Sequence, residues 1–165
     1  QMVHEGGSGR GAAVERRRMQ RGVESAELAA SQHGLQPMAV DGLQEYAVGE
    51  LAGVNRQDPR AQLGFDAWLH GDLLAACPGA EDGHSVVRRF TDALNEIADV
   101  HRGETVLVFA HGGAMALVLP RVSTNGRNNL AAQRFLPNCV PAEVEVDADG
   151  WRLMSWPGAT HEVTV

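Results

Sequence analysis

The stretch from Thr105 to Pro120, TVLVFAHGGAMALVLP, constrains this chain more than any other. Val106–Ala110 are all apolar, and no polar residue alternates with them. Such a run reads as a strand buried on both faces, as in a parallel sheet with helices above and below it. His111, Gly112 and Gly113 follow at once, and AMALVLP then reads as a buried helix ended by Pro120. A strand of this kind has to be covered on both faces and paired at its edges, so the sequence around it should supply helices and further strands.

The flanking sequence does supply them. Residues 13–33 have good helix formers, no proline and a stop signal at Gly34. Residues 36–40 read as a short strand, and the glycine-broken DGLQEYAVGELAG after them as a loop. Asp58-Pro59 opens a helix to about residue 76, with proline at its first position. Pro78-Gly79-Ala80 breaks the chain before a second helix over about 83–101. In that helix Val86, Phe90, Leu94 and Ile97 form one apolar stripe, and His101, Arg102 and Gly103 close it. Residues 125–134 predict a short helix. CVPAEVEV and WRLMSW alternate around Asp149-Gly150 and predict a hairpin. The sum is an α/β chain with a mixed sheet: residues 1–12 as a flexible Gly-rich tail, residues 13–165 as a single domain.

Composition excludes several function classes. At 44% hydrophobic and 21% charged, the 165-residue chain is ordinary for a globular domain. No apolar run is long enough to cross a membrane, and the opening QMVHEGGSGRG has no signal-peptide core. Cys77 and Cys139 stand alone, without metal spacing, and fit a reducing, cytoplasmic setting. The net charge of −7 argues against broad nucleic-acid binding. All 14 basic residues are arginine, and Arg10, Arg16, Arg17, Arg18 and Arg21 crowd the first 21 residues. Guanidinium groups suit paired hydrogen bonding to phosphate, although such a cluster also serves as a solvated helix face.

His111 stands where open α/β sheets bind ligands, just past the carboxyl end of a strand. Gly112 and Gly113 allow the backbone close to a ligand, and a helix N-terminus attracts anions. A capping or core histidine is the plainer alternative. HGG also occurs in esterase oxyanion loops, but no G-x-S-x-G elbow accompanies it here. No P-loop or dinucleotide fingerprint is present. His33, His70, His84, His101 and His161 show no metal-ligand spacing and read as surface or capping residues.

Four features in order resemble the histidine phosphatase superfamily, with its phosphoglycerate-mutase-like fold. Arg21-Gly22-Val23-Glu24-Ser25-Ala26-Glu27 resembles the family's RAxQTAE helix. Residues 43–53, LQEYAVGELAG, resemble LREIDFGEWEG. Pro78-Gly79-Ala80-Glu81 resembles PGGES, and VLVFAHGG resembles the strand that delivers the second histidine. The resemblance implies a three-layer α/β/α domain with a mixed, mostly parallel sheet. It also implies metal-independent, cofactor-free phosphoryl transfer from a small phosphorylated molecule through a phosphohistidine. By the same resemblance Arg21 is the helix arginine, Glu45 the proton donor and His111 the second histidine. Arg21, His111 and the Gly112 turn would hold the phosphoryl oxygens, where fixed positive charge helps most.

The departure from the family is at the nucleophile. Its RHGxT segment lies upstream of the RAxQTA helix, and this sequence holds no Arg-His-Gly. Val3-His4-Glu5-Gly6-Gly7 is a superficial echo only 17 residues before Arg21. The expectation is therefore a domain whose first strand, first helix and nucleophile are missing, with open strand edges. Three accounts stay open: a truncated phosphatase chain, a non-catalytic phosphate-binding or interaction module, and edge-to-edge pairing with a partner such as a second copy in a homodimer. Trp68, Leu69, Leu73 and Leu74 line an apolar wall over the pocket or, more simply, belong to the core.

Overall fold

The computed structural model describes residues 11–55 and 59–157; the side chains of residues 11–21, 61 and 62 lie outside the description. Helix α1 (Gly11–Gln32) matches the predicted first helix within two residues. Its Val23 and Leu28 are 53% and 66% exposed, so its visible apolar side chains bury little. Residues 1–10, most of the expected 1–12 tail and His4 with it, lie outside the description, while Gly11 and Ala12 belong to α1.

Helix α2 (Pro59–Leu69) begins at its proline but stops well short of residue 76. Gly71 takes a φ of 102°, a left-handed value that ends helices, and His70 and Gly71 N–H groups close the last turn onto Asp66, Ala67 and Trp68 carbonyls. Helix α3 (Gly83–Val100) is the predicted amphipathic helix, with Val86, Phe90, Ala93 and Leu94 buried along one stripe. Asp82 caps it by accepting the Ser85 N–H at 2.7 Å. That contact holds the Asp82 carboxyl below its ordinary pKa. Helix α4 (Gly112–Val122) is buried almost all round and runs two residues beyond Pro120. Carbonyls near its end find side-chain donors: Arg121 Nη1 bonds Leu117 O and Ser123 Oγ bonds Leu119 O. Burial lowers the Arg121 pKa. Helix α5 (Leu130–Gln133) is a single turn within the predicted 125–134.

Strands β1 (Glu143–Asp147) and β2 (Gly150–Ser155) form the predicted antiparallel hairpin, with Val144 opposite Leu153 and a bulge at Glu143/Val144. Asn125 docks this hairpin by bonding both the N–H and the C=O of Leu153. Helix α4 is the centre of the core, and α3, α5 and β2 pack on it. Phe90, Leu117, Leu153, Val86 and Val118 are sealed from solvent; each such side chain contributes about 1.5–3 kcal/mol by burial.

Two predicted strands come out differently. Residues 36–40 and 106–110 take no regular secondary structure and join no ladder among the described residues, where the hairpin is the sheet that forms. Far from being buried on both faces, Val106, Leu107 and Phe109 are 42%, 67% and 37% exposed. The physical reason is the lack of a neighbour: no strand among the described residues lies beside this segment to satisfy its N–H and C=O groups. A three-layer arrangement around a mostly parallel sheet is therefore not seen in the described residues.

Candidate functional site

The turn after residues 106–110 places His111 at the N-cap of α4, in extended conformation (φ −107°, ψ 139°). Its imidazole is half-buried, makes no capping bond and has no hydrogen-bond partner among the described residues. The first-turn N–H groups of a helix need acceptors from outside the helix. Here Glu45 supplies them from 68 residues away: its carboxylate accepts Gly113 N–H at 3.2 Å and Ala114 N–H at 2.8 Å. Ionised carboxylate at this end of the helix dipole is favourable in the same way as an anionic ligand. The Gly112 N–H keeps no partner among the described residues, so an open donor stands directly beside the imidazole.

Gly113 permits this junction. A Cβ there would stand 2.6 Å from Tyr46 Cε1 and 2.9 and 3.0 Å from the Glu45 carboxylate oxygens. Tyr46 stacks on Phe65 (5.6 Å between centroids) and meets Trp68 edge-on (5.0 Å). Trp68 and Leu69 are core, as the simpler expectation had it; Leu73 is half-buried and Leu74 exposed. The cleft between Tyr46, Phe65, Trp68 and Cys77 holds about 30 Å³, room on the scale of a water rather than of a substrate.

The structure thus brings Glu45, Gly112 and His111 to one helix end. Arg21 lies on α1, and its side chain is outside the description, as are those of Arg16, Arg17 and Arg18. Among the other histidines, His101 is the C-cap of α3 and faces Glu104, and His70 bonds Asp66 O. His161 lies outside the described residues. Cys77 and Cys139 are free thiols. Among the described residues no three His, Cys, Asp or Glu side chains converge as metal ligands, and no helix is long and apolar enough to cross a membrane.

Two residues that support the site, Glu81 and Arg89, had no assigned part in the sequence reading. Gly113 was readable as a glycine of close approach, but not what approaches it. Glu81 and Arg89 hold the loop that carries Glu45. Arg89 grips Glu81 with Nε–Oε1 at 2.7 Å and Nη2–Oε2 at 2.9 Å. Burial pushes the Glu81 carboxyl up, but the hydrogen bonds from Arg89 and Ala47 N–H and the Arg89 charge outweigh it, so its pKa lies below the ordinary value.

The family model for the histidine phosphatase superfamily (branch 1) matches residues 18–157. Phosphoglycerate mutase-like protein 4 of Arabidopsis thaliana is 26% identical over 149 residues, covering 87% of this chain and 63% of the relative. A 2,3-bisphosphoglycerate-dependent phosphoglycerate mutase of Azorhizobium caulinodans is 34% identical over 101 residues, 56% of this chain and 48% of the relative. A metal-independent phosphoserine phosphatase of Arabidopsis thaliana is 28% identical over 127 residues, 74% of this chain and 50% of the relative. The chain spans between about half and two thirds of the length of these relatives. No solved structure matches it.

Proposed function

Since the chain belongs to the histidine phosphatase superfamily, an α/β family, we propose that the N-terminal end of α4 binds the phosphoryl group of a small phosphomonoester for metal-independent transfer. One observation carries this reading: the N-terminal end of α4 bears the Glu45 carboxylate together with a His111 imidazole and a Gly112 N–H that have no partner among the described residues. The imidazole and the Gly112 N–H hold phosphoryl oxygens, and Arg21 supplies a guanidinium from α1. Where a nucleophilic histidine is supplied, it takes the phosphoryl group as the bond from phosphorus to the bridging oxygen breaks, and Glu45 in its acid form gives that oxygen a proton. Family membership also supports reading residues 106–110 as a central strand of a three-layer, mostly parallel sheet.

A second reading has its own support. The sequence contains no Arg-His-Gly, and without a nucleophilic histidine the same residues bind phosphate and transfer nothing. Titration with inorganic phosphate tests the shared premise. It should move the Gly112 amide signal in a ¹H–¹⁵N spectrum and raise stability by about 2.7 kcal/mol at 100 times its Kd, and His111→Ala should abolish both. An unmoved Gly112 amide at saturating phosphate overturns both readings. Hydrolysis of p-nitrophenyl phosphate, lost in His111→Ala, separates the first from the second.

A further inference from the structure

Glu45 sits in a loop, yet its carboxylate meets two amides of a distant helix with bonding geometry. Something must fix that loop, because its own backbone forms no ladder or helix between Gly42 and Ala47. We propose that Arg89 and Glu81 are positioning residues for Glu45; the role rests on the phosphate reading for its chemical purpose, but not for its geometry.

The constraints bracket Glu45 from both sides. Ahead of it, Arg89 Nη1 donates to Gly42 O at 2.7 Å and to Gln44 O at 2.9 Å. Behind it, Ala47 N–H donates to Glu81 Oε2 at 2.9 Å, and Glu81 N–H returns a bond to Ala47 O at 3.1 Å. The remaining nitrogens of the same guanidinium bind both Glu81 oxygens, so one planar fork joins the two sides. Only two loop residues, Leu43 and Gln44, separate the outer attachment point Gly42 from Glu45, and only Tyr46 separates Glu45 from Ala47. Arg89 itself is fixed two turns into α3, whose start Asp82 caps. Gly42 lies against this helix, with φ 96° and a notional Cβ only 2.7 Å from Arg89 O, so the loop can approach α3 because that residue is glycine. Leu43 is buried between these attachments, and the loop cannot rotate as a free strap. Both clamp side chains are mostly shielded, at 19% and 26% exposure, which strengthens the pair over a surface one.

The test is the Ala114 amide, whose proton reports the Glu45 carboxylate directly. Its signal is recorded in the full chain and in Glu45→Ala, Arg89→Met, Arg89→Lys and the Glu45→Ala/Arg89→Met double variant. Arg89→Met should move it by more than half the displacement that Glu45→Ala causes. In the double variant Arg89→Met should add nothing further, because the group it positions is gone. Arg89→Lys, which keeps one charged donor but not the fork, should restore part of the signal. An Ala114 amide that stays at its wild-type position in Arg89→Met overturns the proposal. So does an equal movement with and without Glu45, which marks a merely structural role. Should Arg89→Met fail to fold, Glu81→Gln answers the same question, with the Ala47 and Ala114 amides expected to move together. Failure of the phosphate reading shows separately, as a Gly112 amide indifferent to inorganic phosphate while Ala114 still responds to Arg89.

Discussion

Two β-type segments of this chain meet opposite fates. Strands β1 and β2 close on each other across the two-residue turn Ala148-Asp149, and Leu153 of β2 is 2% exposed. Residues 106–110 are at least as apolar, yet Leu107 is 67% exposed and the segment pairs with nothing described. The difference lies in where the partner is. A hairpin carries its partner a few residues away, with Asp149-Gly150 setting the register. A strand apolar on both faces states that it needs neighbours without stating which, and their pairing is non-local.

Truncating Leu107 against a leucine sealed in the core tests the exposed side of this comparison most directly. Leu117→Ala removes a fully buried side chain from α4 and should cost about 2–5 kcal/mol. Leu107→Ala should cost less than about 0.5 kcal/mol, since the side chain already faces solvent. Urea denaturation of both variants measures the gap. If Leu107→Ala costs as much as Leu117→Ala, residues 106–110 are covered in solution, and the contrast with the hairpin disappears.

The same divide explains what the sequence made legible. The stripe Val86, Phe90, Leu94 and Ile97 gave α3, because a 3.6-residue period is local information. Alternation around Asp149-Gly150 gave the hairpin, and His111-Gly112-Gly113 gave the strand-to-helix turn. Helix α2 came out short because its apolar pattern said nothing of the left-handed Gly71. Residues 106–110 stay exposed among the described residues because an apolar run reports a preference, and preference needs a partner to become burial. At the site, Glu45 and His111 were readable by resemblance. The capping of Gly113 and Ala114 by Glu45 was not, nor the grip of Glu81 and Arg89 on the loop that carries Glu45, since partners 34 to 69 residues apart leave no spacing signal.

A smaller effect sharpens the comparison at the junction between the two regions, where the 106–110 segment enters α4. Gly112 and Gly113 are adjacent helical glycines with opposite surroundings. An added Cβ at Gly112 meets nothing within 4 Å; at Gly113 it meets Tyr46 and the Glu45 carboxylate under or at 3.0 Å. Gly113→Ala should therefore cost about 1–3 kcal/mol through overpacking and displace Glu45. Gly112→Ala should be neutral or gain up to about 1 kcal/mol from reduced unfolded-state freedom. Thermal denaturation of the pair, with the Ala114 amide as the local reporter, checks both. Equal costs at the two positions contradict the packing of Tyr46 and Glu45 against Gly113.

The smallest effect concerns acid. Glu81 has a lowered pKa in the fold against an ordinary 4.5. As pH falls through that ordinary value, the unfolded chain takes up a proton before the folded one does. Stability from the Glu81 contacts is thus complete above about pH 4.5 and is lost as pH falls through the lower folded value. Asp82 is lowered in the same direction by the Ser85 N–H, so Glu81→Gln should reduce the acid sensitivity without removing it. The Glu81 share should stay below about 1 kcal/mol, the range of partly solvated pairs. Its location is the sharper test. Residue-resolved hydrogen exchange between pH 6 and pH 3.5 should show protection falling first at Ala47, whose N–H Glu81 accepts. Val144 and Leu153 amides in the hairpin should hold, because no Glu81 contact reaches them, and amides of residues 106–110 should be unprotected throughout. Loss of protection at the hairpin together with Ala47 would make the loop and the packed half one cooperative unit, and the clamp would then have no local effect for acid to release.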